Sequence, residues 1–365
     1  MKISVTRDQI LGPLQNVIGV VERRQTMPVL ANVLLQARND QLSITGSDLE
    51  VELLATSEAN VSQAGDLTVP GRKLLDICRS LPDGAQVNLT KEGEKLVLKS
   101  GRSRFALATL PAAEFPVVEA INALQTLVLP QAEFRRVVDK THFSMAQQDV
   151  RYYLNGLLLE AEGDSLRAVA TDGHRLALAE AKLQEPSKSK QQVIVPRKGV
   201  LELQRILTAE GMLELGIGSN HVRAQIGNIR FTSKLIDGKF PEYGRVIPQN
   251  PSRLIEADRE ALRVALQRTS ILANEKYRGV RLVLKNDLLT LQAHNPEQEE
   301  AEDQVEVSYK GEEIEIGFNV TYLLDALAAT DTERVVLGLS DSNSSCLLTG
   351  LGTTTSRYVV MPMRL

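Results

Sequence analysis

The stretch YLNGLLLE (153–160) returns twice in altered form, as LANVLLQ (30–36) and YRGVRLVL (277–284). Asn32, Asn155 and Gly279 then correspond, at offsets of 123 and 124 residues. Downstream, SDLEVEL (47–53), TDGHRLAL (171–178) and HNPEQEEAEDQVEV (294–307) keep nearly the same spacing. So do VPGRKLLDI (69–77), VPRKGVLEL (195–203) and GFNVTYLLDAL (317–327). Similarity at a fixed period marks a repeated supersecondary unit, and these anchors divide the chain into three copies. The expected domains are 1–122, 123–250 and 251–365, with boundaries near EAINALQT (119–126) and IPQNPSRL (247–254).

Each copy carries two stretches of helical period. In the first, Ile10, Leu11, Leu14, Val17, Ile18 and Val21 make one apolar stripe; in the second, Phe134, Val137 and Val138 oppose Arg135, Arg136 and Lys140. The later helices show Leu74, Ile77, Cys78 and Leu81, and Val320, Leu323, Leu324 and Leu327. Between them the period drops to short alternating runs with turn residues, such as QLSITG (41–46) and KLVLKSGRSRFALATL (95–110). The spacing predicts an α+β fold in which two helices per copy pack on antiparallel sheet.

Bulk composition sets outer limits. Apolar residues make up 43% of the chain and charged ones 24%, which is ordinary for a soluble globular protein. MKISVTRDQI lacks the apolar core of a signal peptide, and no run approaches a membrane span. Cys78 and Cys346 lie far apart, as suits a reducing compartment, so a cytoplasmic location is expected. The net charge is −4, yet the six helical stretches taken together are basic, although the last, 319–330, has no basic residue. Their cations are Arg7, Arg23 and Arg24, Arg72, Lys73 and Arg79, Arg135, Arg136 and Lys140, Arg197, Lys198 and Arg205, and Arg259, Arg263 and Arg268. Equivalent helices of a repeat tend to line one surface, and a basic surface fits a polyanion. Two further segments are complementary: a ribbon with Lys91, Lys95, Lys99, Arg102 and Arg104, and an acidic run with Glu297, Glu299, Glu300, Glu302 and Asp303. A contact between such ends is heterologous and closes into a ring where the rotation allows.

Catalysis has little support. ATDGHRLALAE (170–180) gathers Asp172, His174 and Arg175, but no nucleophile is marked beside them. The four histidines are dispersed without metal-ligand spacing, and no phosphate-binding loop motif occurs. Aromatic residues are only 4% with no tryptophan, too few for stacking platforms on single-stranded nucleic acid. Asp48, Asp172 and Asn295 share one position of the repeat, where a short polar side chain can bond its own backbone. The stretch therefore reads as a turn.

The combination of QDVRYYLNG (148–156), VATDGHRLA (169–177), VIVPRKG (193–199), NPEQEEAE (295–302) and YVVMPMRL (358–365) resembles the bacterial DNA polymerase sliding clamps, the β subunits of the replicative polymerase. The resemblance spans the whole chain. It implies three like domains per chain, two chains in a head-to-tail ring with helices lining the hole, and no catalytic residue, cofactor or metal. Such a ring would slide on duplex DNA through weak phosphate contacts. Arg24, Arg72, Lys73, Gln148, Tyr152, Tyr153, Arg197 and Lys198 are expected near DNA, with core packing the alternative for one of the two tyrosines.

The resemblance also implies an apolar groove for short linear peptides between the second and third domains. Its residues would be Leu154, Thr171, Gly173, His174, Arg175, Leu176, Pro241, Arg245, Val246, Asn319, Tyr322, Ser345, Val359, Met361, Pro362, Met363 and Arg364. A departure stands at Gly244, where the family carries a larger polar residue, so a looser rim is expected. The dimer interface would combine Lys95, Arg102, Arg104, Phe105 and Leu107 with Ile271, Leu272, Glu297, Glu299, Glu300 and Asp303. Implied partners are duplex DNA, the polymerase catalytic subunit, an ATP-dependent clamp loader, and other polymerases and repair proteins that carry groove-binding peptides, with no membrane.

Overall fold

The computed structural model describes residues 1–22, 27–118 and 122–364. Among the described residues six α-helices fall two to a repeat: α1 (Arg7–Val17), α2 (Gly71–Ser80), α3 (Gln131–Asp139), α4 (Arg197–Ile206), α5 (Arg259–Thr269) and α6 (Val320–Ala329). Local chemistry starts three of them. Thr6 and Gln9 form a reciprocal capping box on α1, Asp258 accepts from the Ala261 N–H at 2.8 Å, and Asn319 accepts from the Thr321 N–H at 2.9 Å. The apolar stripes face inward: Ile10, Leu14, Val17, Leu74, Cys78, Phe134, Val137, Leu323 and Leu327 are all buried.

Lys140 departs from the sequence expectation. It sits just beyond α3 and is buried, donating from Nζ to the Ala329 carbonyl at 2.8 Å and pairing with Asp331 at 2.6 Å. Its aliphatic stem fills space while carbonyl and carboxylate satisfy the ammonium, a destination that helical periodicity cannot announce.

Among the described residues the strands form antiparallel sheets of five, eight and twelve strands. In the first repeat Asn32–Arg38, Gln41–Ser47 and Val51–Glu58 form a meander, repeated at Gly156–Glu162, Ser165–Thr171 and Arg175–Lys182, and again at Gly279–Lys285, Leu288–His294 and Glu300–Ser308. The meanders do not stay within their repeats. Ile229–Lys234, the last strand of the second repeat, pairs with Val51–Glu58 of the first, setting Phe231 opposite Leu53. Ser356–Val360, the last strand of the third, pairs with Arg175–Lys182 of the second, setting Tyr358 opposite Ala177.

The chain accordingly condenses into two compact units that divide the second repeat. One holds 1–132 with 198–235, and the other 133–197 with 236–365. In the second unit a large core gathers Leu262, Leu266, Phe318, Leu323, Leu337 and Tyr358 among others. A smaller cluster around Leu158, Val169, Leu176, Leu178, Phe240 and Val359 lies beneath the candidate groove.

Both cysteines are free thiols without measurable exposure, and burial pushes each thiol up to about 12. The thiolate is the reactive species, and native packing both suppresses and shields it. At pH 8 the native chain should show no reaction with a chromogenic disulfide reagent, and both thiols should titrate together once denaturant unfolds it.

Candidate peptide groove and nucleic-acid interface

The turn at Asp172 precedes the strand Arg175–Lys182. Asp172 Oδ1 accepts from the N–H groups of His174 at 2.9 Å and Arg175 at 3.0 Å, while Thr171 Oγ1 accepts from the Gly173 N–H at 3.1 Å. Gly173 has φ 88°, a left-handed conformation suited to glycine. Asp48 Oδ1 makes the corresponding bonds to Glu50 and Val51, and Asn295 Oδ1 accepts from Glu299. All three positions are turn-forming, as their shared place in the repeat predicts, and none is arranged for acid–base chemistry.

Beside this turn lies a groove of about 300 Å³. Nine expected residues line it: Leu154, Thr171, Gly173, Arg175, Leu176, Pro241, Val246, Val359 and Met361. They meet because Arg175–Lys182 pairs with Ser356–Val360, and the Met361 N–H donates to the His174 carbonyl at 2.9 Å. Arg175 is not a free cation. It pairs with Asp172 and Asp325, donates to the Phe143 carbonyl at 2.7 Å, and stacks 4.5 Å over Tyr322. The guanidinium is thus a fixed part of the wall.

Eight expected groove residues fall outside this lining. His174 contributes its carbonyl and leaves its ring exposed. Asn319 spends its side chain capping α6, and Tyr322 is engaged beneath Arg175. Arg245 is exposed and pairs with Glu242. Met363 donates its N–H to Gly317 at 2.8 Å, with Pro362 half-buried and Arg364 exposed on either side, and Ser345 is half-buried at the start of the strand Cys346–Gly350. A Cβ at Gly244 would meet nothing within 4 Å, so the rim there is open.

Three lining residues lay outside the expected groove set: Arg151, Tyr153 and Tyr243. Tyr153 is half-buried against the cluster beneath the groove, whereas Tyr152 is 57% exposed, which separates the two tyrosines. Tyr243 donates its hydroxyl to Glu160 Oε1 at 2.6 Å. Glu160 is only 2% exposed. Burial alone would raise its pKa, but hydrogen bonds from Tyr243, Gln192, Arg167 and Lys190 outweigh it and hold the carboxyl at about 2. Burial, followed by the Glu160 bond, pushes the Tyr243 phenol upward. This wall of the groove is therefore pinned by a carboxylate behind it whose hydrogen bonds favour the ionised form.

The basic helices are less free than their composition implies. α2, α4 and α5 each carry two more basic than acidic residues, α1 and α3 are balanced, and α6 carries Asp325 alone. Lys198 is clamped between Glu22 and Asp48, and Arg205 is held by Glu202 and the carbonyls of Gln15 and Asn16. Arg72 donates to the Val21 carbonyl at 2.8 Å, and Arg197 is half-buried. Lys73 is exposed, as is Gln148, which adopts φ 54° in the loop before Tyr152. Arg24 lies outside the described residues.

At the expected interface Ser103–Ala108 is a sheet edge, with Lys95, Arg102 and Arg104 exposed and Phe105 half-buried. Leu107 is buried, with only 8% of its surface exposed. Ile271 is 76% exposed beside half-buried Leu272. Glu300–Ser308 is bonded on its outer edge only at Val307 and Ser308, leaving Glu300 and Asp303 on an open stretch, with Glu297 and Glu299 exposed before it. Asp303 pairs with Arg268 at 2.6 Å. Among the described residues no helix is long and apolar enough to cross a membrane.

Residues 1–119, 128–242 and 244–364 match the N-terminal, central and C-terminal domains of the DNA polymerase III β subunit. The β sliding clamp of Pseudomonas putida KT2440 is 55% identical over 367 residues, covering all of both chains. The crystal structure of the β subunit from Pseudomonas aeruginosa superposes with a TM-score of 0.98 at 54% identity, again covering both chains fully. A P. aeruginosa clamp bound to griselimycin superposes at 0.97 with 55% identity and the same coverage. With three clamp domains, each contributing two helices and antiparallel sheet, the chain belongs to the DNA polymerase III β subunit family, the bacterial sliding clamps.

Proposed function

We propose that two copies of this chain close head-to-tail into a ring around duplex DNA, and that the ring slides without reading sequence while tethering polymerases through the groove beside Gly173. The chain is a processivity factor and not a catalyst. The observation that carries the ring is an incomplete pattern of strand pairing. Val51–Glu58 and Arg175–Lys182 each pair with the last strand of the following repeat. Their counterpart in the third repeat, Glu300–Ser308, has no following repeat, and Ser103–Ala108, the last strand of the first, is an edge. A second copy supplies both missing partners. Unpaired strand edges invite such addition, and acidic Glu300 and Asp303 opposite basic Arg102 and Arg104 fix its direction.

The three clamp domains are taken to span 1–122, 123–250 and 251–365. DNA would meet Arg24, Arg72, Lys73, Gln148, Tyr152, Arg197 and Lys198, and the cytoplasm is the compartment that suits such work. The largely internal pairing of the helix cations supports weak, salt-sensitive phosphate contact, which permits sliding. The groove would receive peptides of the replicative polymerase, the ATP-dependent loader and repair proteins, burying aliphatic anchors against Leu176, Val246, Val359 and Met361. The griselimycin complex of the P. aeruginosa clamp supports a ligandable surface on this fold.

Three outcomes are expected. Replacing Arg102 and Arg104 by glutamate should shift native mass from dimer to monomer, and mixing with a chain carrying Glu300→Lys and Asp303→Lys should restore a heterodimer. Loaded with loader and ATP onto nicked circular DNA, the protein should be retained, and linearisation should release it; equal retention on both forms would contradict encirclement. Ending the chain at Val360 should weaken binding of a labelled polymerase tail peptide about tenfold or more, because an apolar wall is lost, while native mass stays that of the dimer.

A further inference from the structure

The groove has a counterpart one repeat earlier that keeps its backbone bonds and changes its side chains. Ser47 Oγ accepts from the Leu49 N–H at 3.2 Å as Thr171 does from Gly173, and Asp48 bonds Glu50 and Val51 as Asp172 bonds His174 and Arg175. The Lys234 N–H donates to the Glu50 carbonyl at 2.9 Å, the same bond that Met361 makes to His174. Phe115-Pro116 stands where the groove has Phe240-Pro241, each phenylalanine buried and each proline in the lining. Leu49 thus corresponds to Gly173, and Lys234 to Met361. These residues, with Val117, Val118 and His221, surround a pocket of about 510 Å³ within the first compact unit.

Leu49 is the telling residue. It holds φ 77°, a left-handed conformation that glycine adopts freely and a leucine resists. Its side chain is 41% exposed, so burial does not offset that strain. Strained residues persist where the surroundings impose them and cluster at binding sites. Val117, 53% exposed, adds a second open apolar surface, and the adjoining wall is fixed from behind by the Val118 N–H donating to buried Glu52 at 2.8 Å.

The polar side of the pocket is cationic. Lys234 and His221 line it, and among the described residues no carboxylate does. Burial, then Lys234 and Arg223, hold the His221 imidazole below its ordinary pKa, so the positive charge at neutral pH rests on Lys234. A Cβ on Gly173 would stand 3.0 Å from the Arg151 guanidinium, whereas Leu49 carries an exposed side chain at the same position, so the two turns present different surfaces to a ligand.

We propose that the pocket around Leu49 and Lys234 is a second docking site, for a partner segment that places an aliphatic side chain next to a carboxylate. Its test is a titration of the full-length, methyl-labelled dimer with acetyl-Leu-Asp-Leu-Asp-amide, using acetyl-Leu-Asn-Leu-Asn-amide as the control. Methyl shifts are expected at Leu49, Val117 and Val118, with affinity about fivefold weaker for the control peptide and for Lys234→Glu. Shifts confined to Leu176, Val246 and Val359, no shifts at about 1 mM peptide, or equal responses to both peptides would overturn the proposal. Leu49→Gly separates binding from folding, because glycine accepts this backbone. Its thermal midpoint should not fall while affinity drops about fivefold, and undiminished affinity would overturn the proposal.

Discussion

The pairing of Arg175–Lys182 with Ser356–Val360 is the constraint on which the candidate groove depends. Leu176 and Val359 are opposed in that ladder, and both reach the groove lining. A slip of one residue would turn every side chain of the last strand to the opposite face of the sheet. The register is held at one end by the Met361 N–H on the His174 carbonyl, and along the ladder by Tyr358 seated in the large core. The pairing joins residues nearly two hundred positions apart, so the groove can form only after the second and third repeats have found each other.

Much of this was legible in sequence because it is local or periodic. The three turns at Asp48, Asp172 and Asn295 follow from side chains that bond their own backbone a few residues on. Helical stripes such as Ile10, Leu14 and Val17 follow from a single period. The fates of individual polar side chains were not legible, since their partners are remote. Lys140 meets Ala329 and Asp331 across the third repeat, and Tyr243 meets Glu160 more than eighty residues away. Both are resolved by burial and hydrogen bonding, quantities that a sequence window does not contain. The groove residues came from family resemblance, and resemblance carries a residue's position but not its employment: Asn319 caps a helix, and Arg175 is stacked and doubly paired.

The same distinction governs the helices. Counting charges gives a basic surface, yet Lys198, Arg205 and Arg263 each have a carboxylate within ion-pairing distance. Paired cations still bias the local potential, but less than free ones, and exposed pairs are screened further by salt. A protein that must hold a polyanion while moving along it gains from such moderation, because each tight phosphate contact is a barrier to the next step. In the proposed ring, topology supplies retention, and chemistry is left to supply only lubrication.

The repeat turn shows how one architecture comes to carry different tasks. In two copies the backbone bonds around the turn are nearly superimposable in kind, from the hydroxyl two residues before the left-handed position to the strand N–H that closes on the carbonyl one residue after it. Those bonds fix where a side chain at the left-handed position will stand without fixing which side chain it is. Glycine there lies against the Arg151 guanidinium in the groove lining, and leucine presents an exposed apolar side chain in the same pocket as Lys234. The third copy lengthens the turn, so that Asn295 bonds Glu299 and leads into the acidic strand whose outer edge is bonded only at Val307 and Ser308. Hydrogen bonding thus preserves the frame in the first two copies, and the side chain at the left-handed position is left to differ in chemistry.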